Sequence, residues 1–198
     1  MTDLEQGQSP LPMAAQRRGD RAVDSRVLGM LILVASETMF FAGLVSGFTI
    51  VKSGAMVWPP PGQPRLPIEE TAFNTAALLA SGVLLFLARR AFSRDRTRCS
   101  QLLIAAIGLG AFFVVFQGVE WLQLIHFGLT LTSSTLGSFF YLIVGIHALH
   151  AVIAIALMLR IWRRMRRGWL AEGQFAAVAV FWYFVVGLWP ILYLRVYL

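Results

Sequence analysis

Glu37 stands about halfway along the uninterrupted apolar run from Val27 to Val51. A carboxylate at the centre of a bilayer costs about 2.5–3.5 kcal/mol on insertion scales, so it needs a partner or a use. Two histidines, His147 and His150, lie in Gly145-Ile146-His147-Ala148-Leu149-His150 inside another apolar run. Three residues apart, they share a helix face. Gln117, Glu120 and Gln123 repeat the same spacing in a third run. Three chemistries fit this set. The first is haem or metal ligation. A bis-histidine haem needs imidazoles on opposite faces of the iron, which neighbours on one helix do not supply, and His126 is the one other histidine. The second is proton transfer through Glu37 as a neutral, proton-carrying acid. The third is structural, with Glu37 bonded to a neighbouring helix and fixing how the helices pack.

The elements that must hold these residues are membrane spans. Hydrophobic residues make up 58% of the chain and charged residues 14%, against about 25% charged in a soluble domain. Five segments reach the roughly 20 residues a helix needs to cross a bilayer: about Val27–Val51, Thr71–Ala91, Gln101–Ile125, Leu136–Trp162 and Gln174–Tyr197. Backbone groups in lipid must be satisfied within the segment, so these are helices. A porin-type barrel is excluded, because its strands alternate in polarity over about 10 residues. The expected fold is all-α: a polar tail over residues 1–26, then one five-helix transmembrane domain over residues 27–198. No cleavable signal peptide is expected, since the first apolar run is too long for one.

Net charge is +7, but nucleic acid is not the implied partner. The arginines cluster in the short polar breaks: Arg17, Arg18, Arg21 and Arg26; Arg89, Arg90, Arg94, Arg96 and Arg98; Arg160, Arg163, Arg164, Arg166 and Arg167. All fall on one side of a five-span topology, against Lys52, Arg65 and Arg195 on the other. The positive-inside rule then puts the N-terminus in the cytoplasm and the C-terminus outside. Trp58, Trp121, Trp189, Tyr193 and Tyr197 fall near the outer interface, and Trp162 and Trp169 near the inner one, as an aromatic belt does. At 1.5 Å per residue, Glu37 lies roughly 15 Å in, and the two histidines roughly 17–21 Å from the outer end. Glu120 lies nearer the outer surface. Gly43 and Gly47 form a G-x-x-x-G helix-packing pattern. The stretch Trp58-Pro59-Pro60-Pro61-Gly62-Gln63-Pro64-Arg65-Leu66-Pro67 reads as a stiff, extended outer ledge. Cys99 is the one cysteine, which rules out an internal disulfide and argues against a thiolate metal site.

Taken together, these residues resemble subunit III of the haem-copper respiratory oxidases, across all five spans. Ser36-Glu37-Thr38-Met39-Phe40-Phe41-Ala42-Gly43 is similar to the family segment that carries an intramembrane glutamate. Trp58-Pro59-Pro60 followed by Asn74-Thr75-Ala76-Ala77-Leu78-Leu79 matches the family's loop and helix. Gln117-Gly118-Val119-Glu120-Trp121 and the Gly137-Ser138-Phe139-Phe140 to His150 stretch complete the order. The pattern resembles the short bacterial form with five helices. One place departs from it: Trp182-Tyr183-Phe184-Val185-Val186 has Tyr183 for the family's usual His and Val186 for its usual Asp, with Pro190 close behind.

The resemblance implies a non-catalytic subunit of a terminal oxidase in the aerobic electron transport chain of the bacterial cytoplasmic (inner) membrane. It implies packing on oxidase subunit I beside the other oxidase subunits, bound phospholipid, and support of proton uptake and of the durability of turnover. Haem and copper sit in the partner subunits, so no catalytic or metal-ligating residue is expected here. Glu37 takes the family's intramembrane glutamate, and Glu120, His147 and His150 its other polar positions. Two other readings fit the residues: a subunit III-like accessory protein of nitric oxide reductase, given Tyr183 and Val186, and a small proton-linked transporter, given Glu37.

Overall fold

Five helices account for nearly all of the described residues: α1 (Ser25–Gly54), α2 (Ile68–Ala91), α3 (Arg96–His126), α4 (Thr135–Arg166) and α5 (Glu172–Leu192). The structure, a computed structural model, describes residues 24–54, 56 and 68–197. The first 23 residues of the expected polar tail and the expected proline-rich ledge lie outside the described residues. All five helices are long and apolar enough to cross a membrane, and among the described residues there is no strand.

Helix ends run past the apolar segments because the polar residues there cap them. Asp95 accepts a hydrogen bond from the Arg98 backbone N–H at 2.9 Å, so α3 begins five residues before Gln101. Ser134 does the same for α4, accepting from Gly137 N–H at 3.0 Å. Such caps satisfy backbone donors that have no partner inside the helix. Both α3 and α4 end in glycines with left-handed backbone, Gly128 at φ 91° and Gly168 at φ 76°. Leu129 N–H reaches back to Leu124 O at 2.9 Å, and Trp169 N–H to Arg164 O at 3.0 Å. These are Schellman closures, which suit glycine because it has no Cβ to clash.

The most buried helix is α5, and it packs against α1, α2 and α4. The α2–α3 pair makes the most extensive contact, and α3 also meets α4. Helix α1 lies on the outside of this group, burying only Phe41 and Phe48. Pro190 cannot donate to the carbonyl four residues back. Soon after it the chain widens into a π turn, Tyr193–Tyr197, that carries Tyr197 back into the core.

Close approach to α5 depends on small residues. A Cβ added at Gly110 would stand 2.6 Å from the ring of Trp182, which is wholly buried. At Gly82 it would meet Val186 at 3.1 Å. Val186 therefore forms an apolar contact with α2, where the resembled pattern has a carboxylate. Overpacking of this kind costs about 1–3 kcal/mol. Gly110→Ala is expected to lower the unfolding free energy of the detergent-solubilised chain by that amount, seen as a lower midpoint in thermal denaturation, while Gly108→Ala, in open space, leaves it nearly unchanged.

Candidate functional site: two intramembrane polar clusters

The expected polar residues divide into two clusters and one isolated histidine. Glu37 on α1 meets His150 on α4, with Oε2 and Nε2 3.2 Å apart. His150 Nδ1 lies 2.8 Å from the backbone oxygen of Ile146. A carbonyl only accepts, so Nδ1 carries a hydrogen and donates. Nε2 then either accepts from a protonated Glu37 or donates to its carboxylate. In both cases one hydrogen lies between the two side chains. The contact is not sealed: the Glu37 side chain is 25% exposed and that of His150 14%, so the pair sits at the rim of the bundle.

His147 belongs to neither cluster. It is 1% exposed and stacks on Trp189, with ring centres 5.0 Å apart. Phe113 closes on it at 6.5 Å and Phe41 at 6.3 Å. Neither of its ring nitrogens has a hydrogen-bond partner. Phe41 also contacts His150, at 5.6 Å, so its ring lies against both histidines.

The second cluster joins three elements near one end of the bundle. Glu120 on α3 is 2% exposed. It accepts from Thr71 Oγ1 of α2 at 3.1 and 3.2 Å and from Gln117 Nε2 at 2.7 Å. The same amide donates to Tyr197 Oη at 3.1 Å. A ladder continues along α2. Thr75 Oγ1 donates to Thr71 O at 2.7 Å and accepts from Trp189 Nε1 at 2.8 Å. Asn74 donates to Phe113 O at 3.2 Å. Gln123 is exposed and stands outside this network. Thr71 and Tyr197 were not singled out as polar partners in the sequence. The spacing Thr71, Asn74, Thr75 was the available signal, since those three share one helix face.

The glycine pair also divides. A Cβ at Gly47 would touch the Phe139 ring of α4 at 3.6 Å, whereas one at Gly43 would meet nothing within 4 Å. Gly43 is exposed, so within this chain only Gly47 faces a neighbouring helix. The substituted pair on α5 makes no polar network. Val186 packs on Gly82, and the buried Tyr183 hydroxyl lies near Arg89 but outside hydrogen-bond geometry.

The two histidines do not fit a haem or a metal ion. His147 is enclosed by three aromatic rings, and His150 has both nitrogens engaged. Among the described residues, no three His, Cys, Asp or Glu side chains gather where they could hold a metal ion. The arrangement can tie helices and hold a proton at the bundle rim.

The profile of the family "Cytochrome c oxidase subunit III" matches residues 18–198. The chain belongs to that family. Cytochrome c oxidase subunit 3 of Pelomedusa subrufa is 32% identical to it over 179 residues, 85% of this chain and 67% of the relative. Those of Petromyzon marinus and Mus musculus are each 31% identical over the same shares. As a subunit III, the chain is a multi-pass membrane component of a haem-copper oxidase.

Removing the acceptor at Glu120 strands buried donors, at about 1–3 kcal/mol for each group. Glu120→Ala is expected to destabilise the bundle clearly in thermal denaturation, and Tyr197→Phe by only about 1 kcal/mol. Glu37→Gln keeps a side chain able to bond His150 and is expected to leave assembly intact. Glu37→Leu leaves Nε2 unsatisfied and is expected to cost about 1–3 kcal/mol.

Proposed function

We propose that this subunit III packs on the oxidase's subunit I and supports its stability, its proton uptake and its bound lipid, without carrying a redox centre itself. The observation that carries this reading is the pairing of Glu37 with His150. In this reading the acid lies at mid-membrane, and it is already held by a neighbouring helix at the rim of the bundle. That is a supporting part, suited to bracing the bundle or storing a proton.

Helix α1 supports the assignment of partners. Leu28, Ile32, Met39 and Ile50 are exposed along it, and Met39 is 79% exposed. In this reading lipid and subunit I cover that surface, and Gly43 leaves room for a partner helix. The arginine-rich end of the bundle faces the cytoplasm of a bacterial cell, with the N-terminus on that side. Phospholipid fits the groove of about 580 Å³ beside the last turns of α4, where Ile153 and Leu157 lie next to Arg160, Arg163, Arg164 and Arg167. Basic residues at that depth attract anionic headgroups.

Purification through an affinity tag on this chain tests the proposal. A haem-containing partner with the optical spectrum of an oxidase is expected to accompany it. Recovery of the chain without any haem protein, from membranes solubilised gently enough to keep other oxidases whole, refutes the reading.

A further inference from the structure

Two imidazoles stand within one helical turn on α4, and the acid of α1 joins the one that already has another partner. His147 is 1% exposed, and neither of its ring nitrogens has a hydrogen-bond partner. A buried polar group left unsatisfied is costly, so a carboxyl within reach would be drawn to it. His150 has its Nδ1 on the Ile146 oxygen at 2.8 Å, and its side chain is 14% exposed. Even so, Glu37 Oε2 stands 3.2 Å from His150 Nε2. The two histidines lie at neighbouring angles around α4, so the choice rests on how α1 is turned against them.

Two aromatic side chains set that turn. Phe41 and Phe48 are the buried residues of α1, seven residues and about two turns apart. Phe48 packs on Phe139 of α4 with ring centres 5.9 Å apart. Phe41 lies on the same face of α1 as Glu37, one turn further along. Its ring meets His150 at 5.6 Å and His147 at 6.3 Å, edge-on to both, and Phe184 of α5 at 6.3 Å. Three rings enclose His147. Trp189 of α5 stands 5.0 Å away and Phe113 of α3 6.5 Å. Phe41 is the ring that comes from α1, and of the three it alone also meets His150.

We infer that Phe41 is a positioning residue that assigns Glu37 to His150 and keeps it from His147. Its ring fills the space through which α1 faces His147, so the carboxyl one turn away meets α4 at His150. An aromatic ring suits this role, because it is bulky, rigid and carries no hydrogen-bonding atom. With a smaller side chain there, α1 is freer to turn, and His147 takes the carboxyl because both of its nitrogens are unmet. The inference concerns contacts within this chain and holds whichever oxidase subunit covers α1.

Double-mutant cycles on the detergent-solubilised full chain test it, with the unfolding equilibrium as the readout. With Phe41 in place, Glu37→Leu combined with His150→Leu is expected to show a coupling of about tenfold in the unfolding constant. Glu37→Leu combined with His147→Leu is expected to show less than about twofold. In a Phe41→Ala background the first coupling is expected to fall below about twofold and the second to rise to about tenfold. Phe41→Leu keeps the site apolar and largely filled, which guards against failure to fold. It is expected to move both couplings in the same directions by a smaller factor, about threefold. A general loosening of the bundle lowers stability in every variant but does not transfer the coupling from one histidine to the other. Nitrogen NMR of labelled histidine reads the transfer directly. In Phe41→Ala one His147 nitrogen is expected to move to a hydrogen-bonded shift, and His150 Nε2 to lose it. An unchanged Glu37–His150 coupling in both Phe41 variants overturns the inference. So does loss of that coupling with no gain at His147, or a strong Glu37–His147 coupling while Phe41 is present.

Discussion

Hydrocarbon offers no water to a polar side chain, and leaving one unpartnered there costs several kcal/mol. The two buried or half-buried acids meet that constraint, while His147 meets it with aromatic rings instead of hydrogen bonds. Each acid placed at depth finds its partner on another helix: Glu37 on α1 takes His150 of α4, and Glu120 on α3 takes Thr71 of α2. These bonds run between elements that apolar packing alone would leave free to slide. Apolar contact brings the helices together, and the polar pairs fix their register. The same logic places Trp189, whose indole N–H crosses from α5 to Thr75 of α2 at 2.8 Å while its ring supports His147.

The burial of α5 follows from this arrangement. Its small neighbours, Gly82 and Gly110, let Val186 and Trp182 come close, and α1, α2 and α4 pack around it. Helix α1, by contrast, keeps most of its surface uncovered. An uncovered apolar helix with a polar pair at its edge suits a subunit that packs on other subunits of an oxidase. Membership of the subunit III family agrees with that division of labour, with the redox chemistry proposed to lie in the neighbouring chains.

Much of this was legible in the residues. All five spans and the grouping of Gln117 with Glu120 follow from apolar run length and helical spacing. Helix ends were less legible, because caps such as Asp95 carry a helix beyond its apolar stretch. Lateral neighbours were harder still. His147 and His150 share a face by spacing, yet three residues turn a helix through about 300°, leaving them about 60° apart. That is enough for one to enter the core while the other meets α1. Depth estimates put Glu37 level with both histidines and gave no basis for choosing between them. Tyr197 read as part of an aromatic belt, but the π turn after Pro190 brings its hydroxyl in to Gln117. Gly43 and Gly47 matched a packing pattern that spacing alone cannot assign to an inner or an outer contact.

The central claim is that this chain supports an oxidase without performing its reaction. Oxygen consumption by the complex, stripped of this chain and then reconstituted with it, tests that most directly. The account predicts a nearly unchanged initial rate in the stripped complex, faster loss of activity during turnover, and restored durability on adding the chain back. An immediate loss of oxygen reduction on removal, with the haem-containing subunits intact, would contradict it.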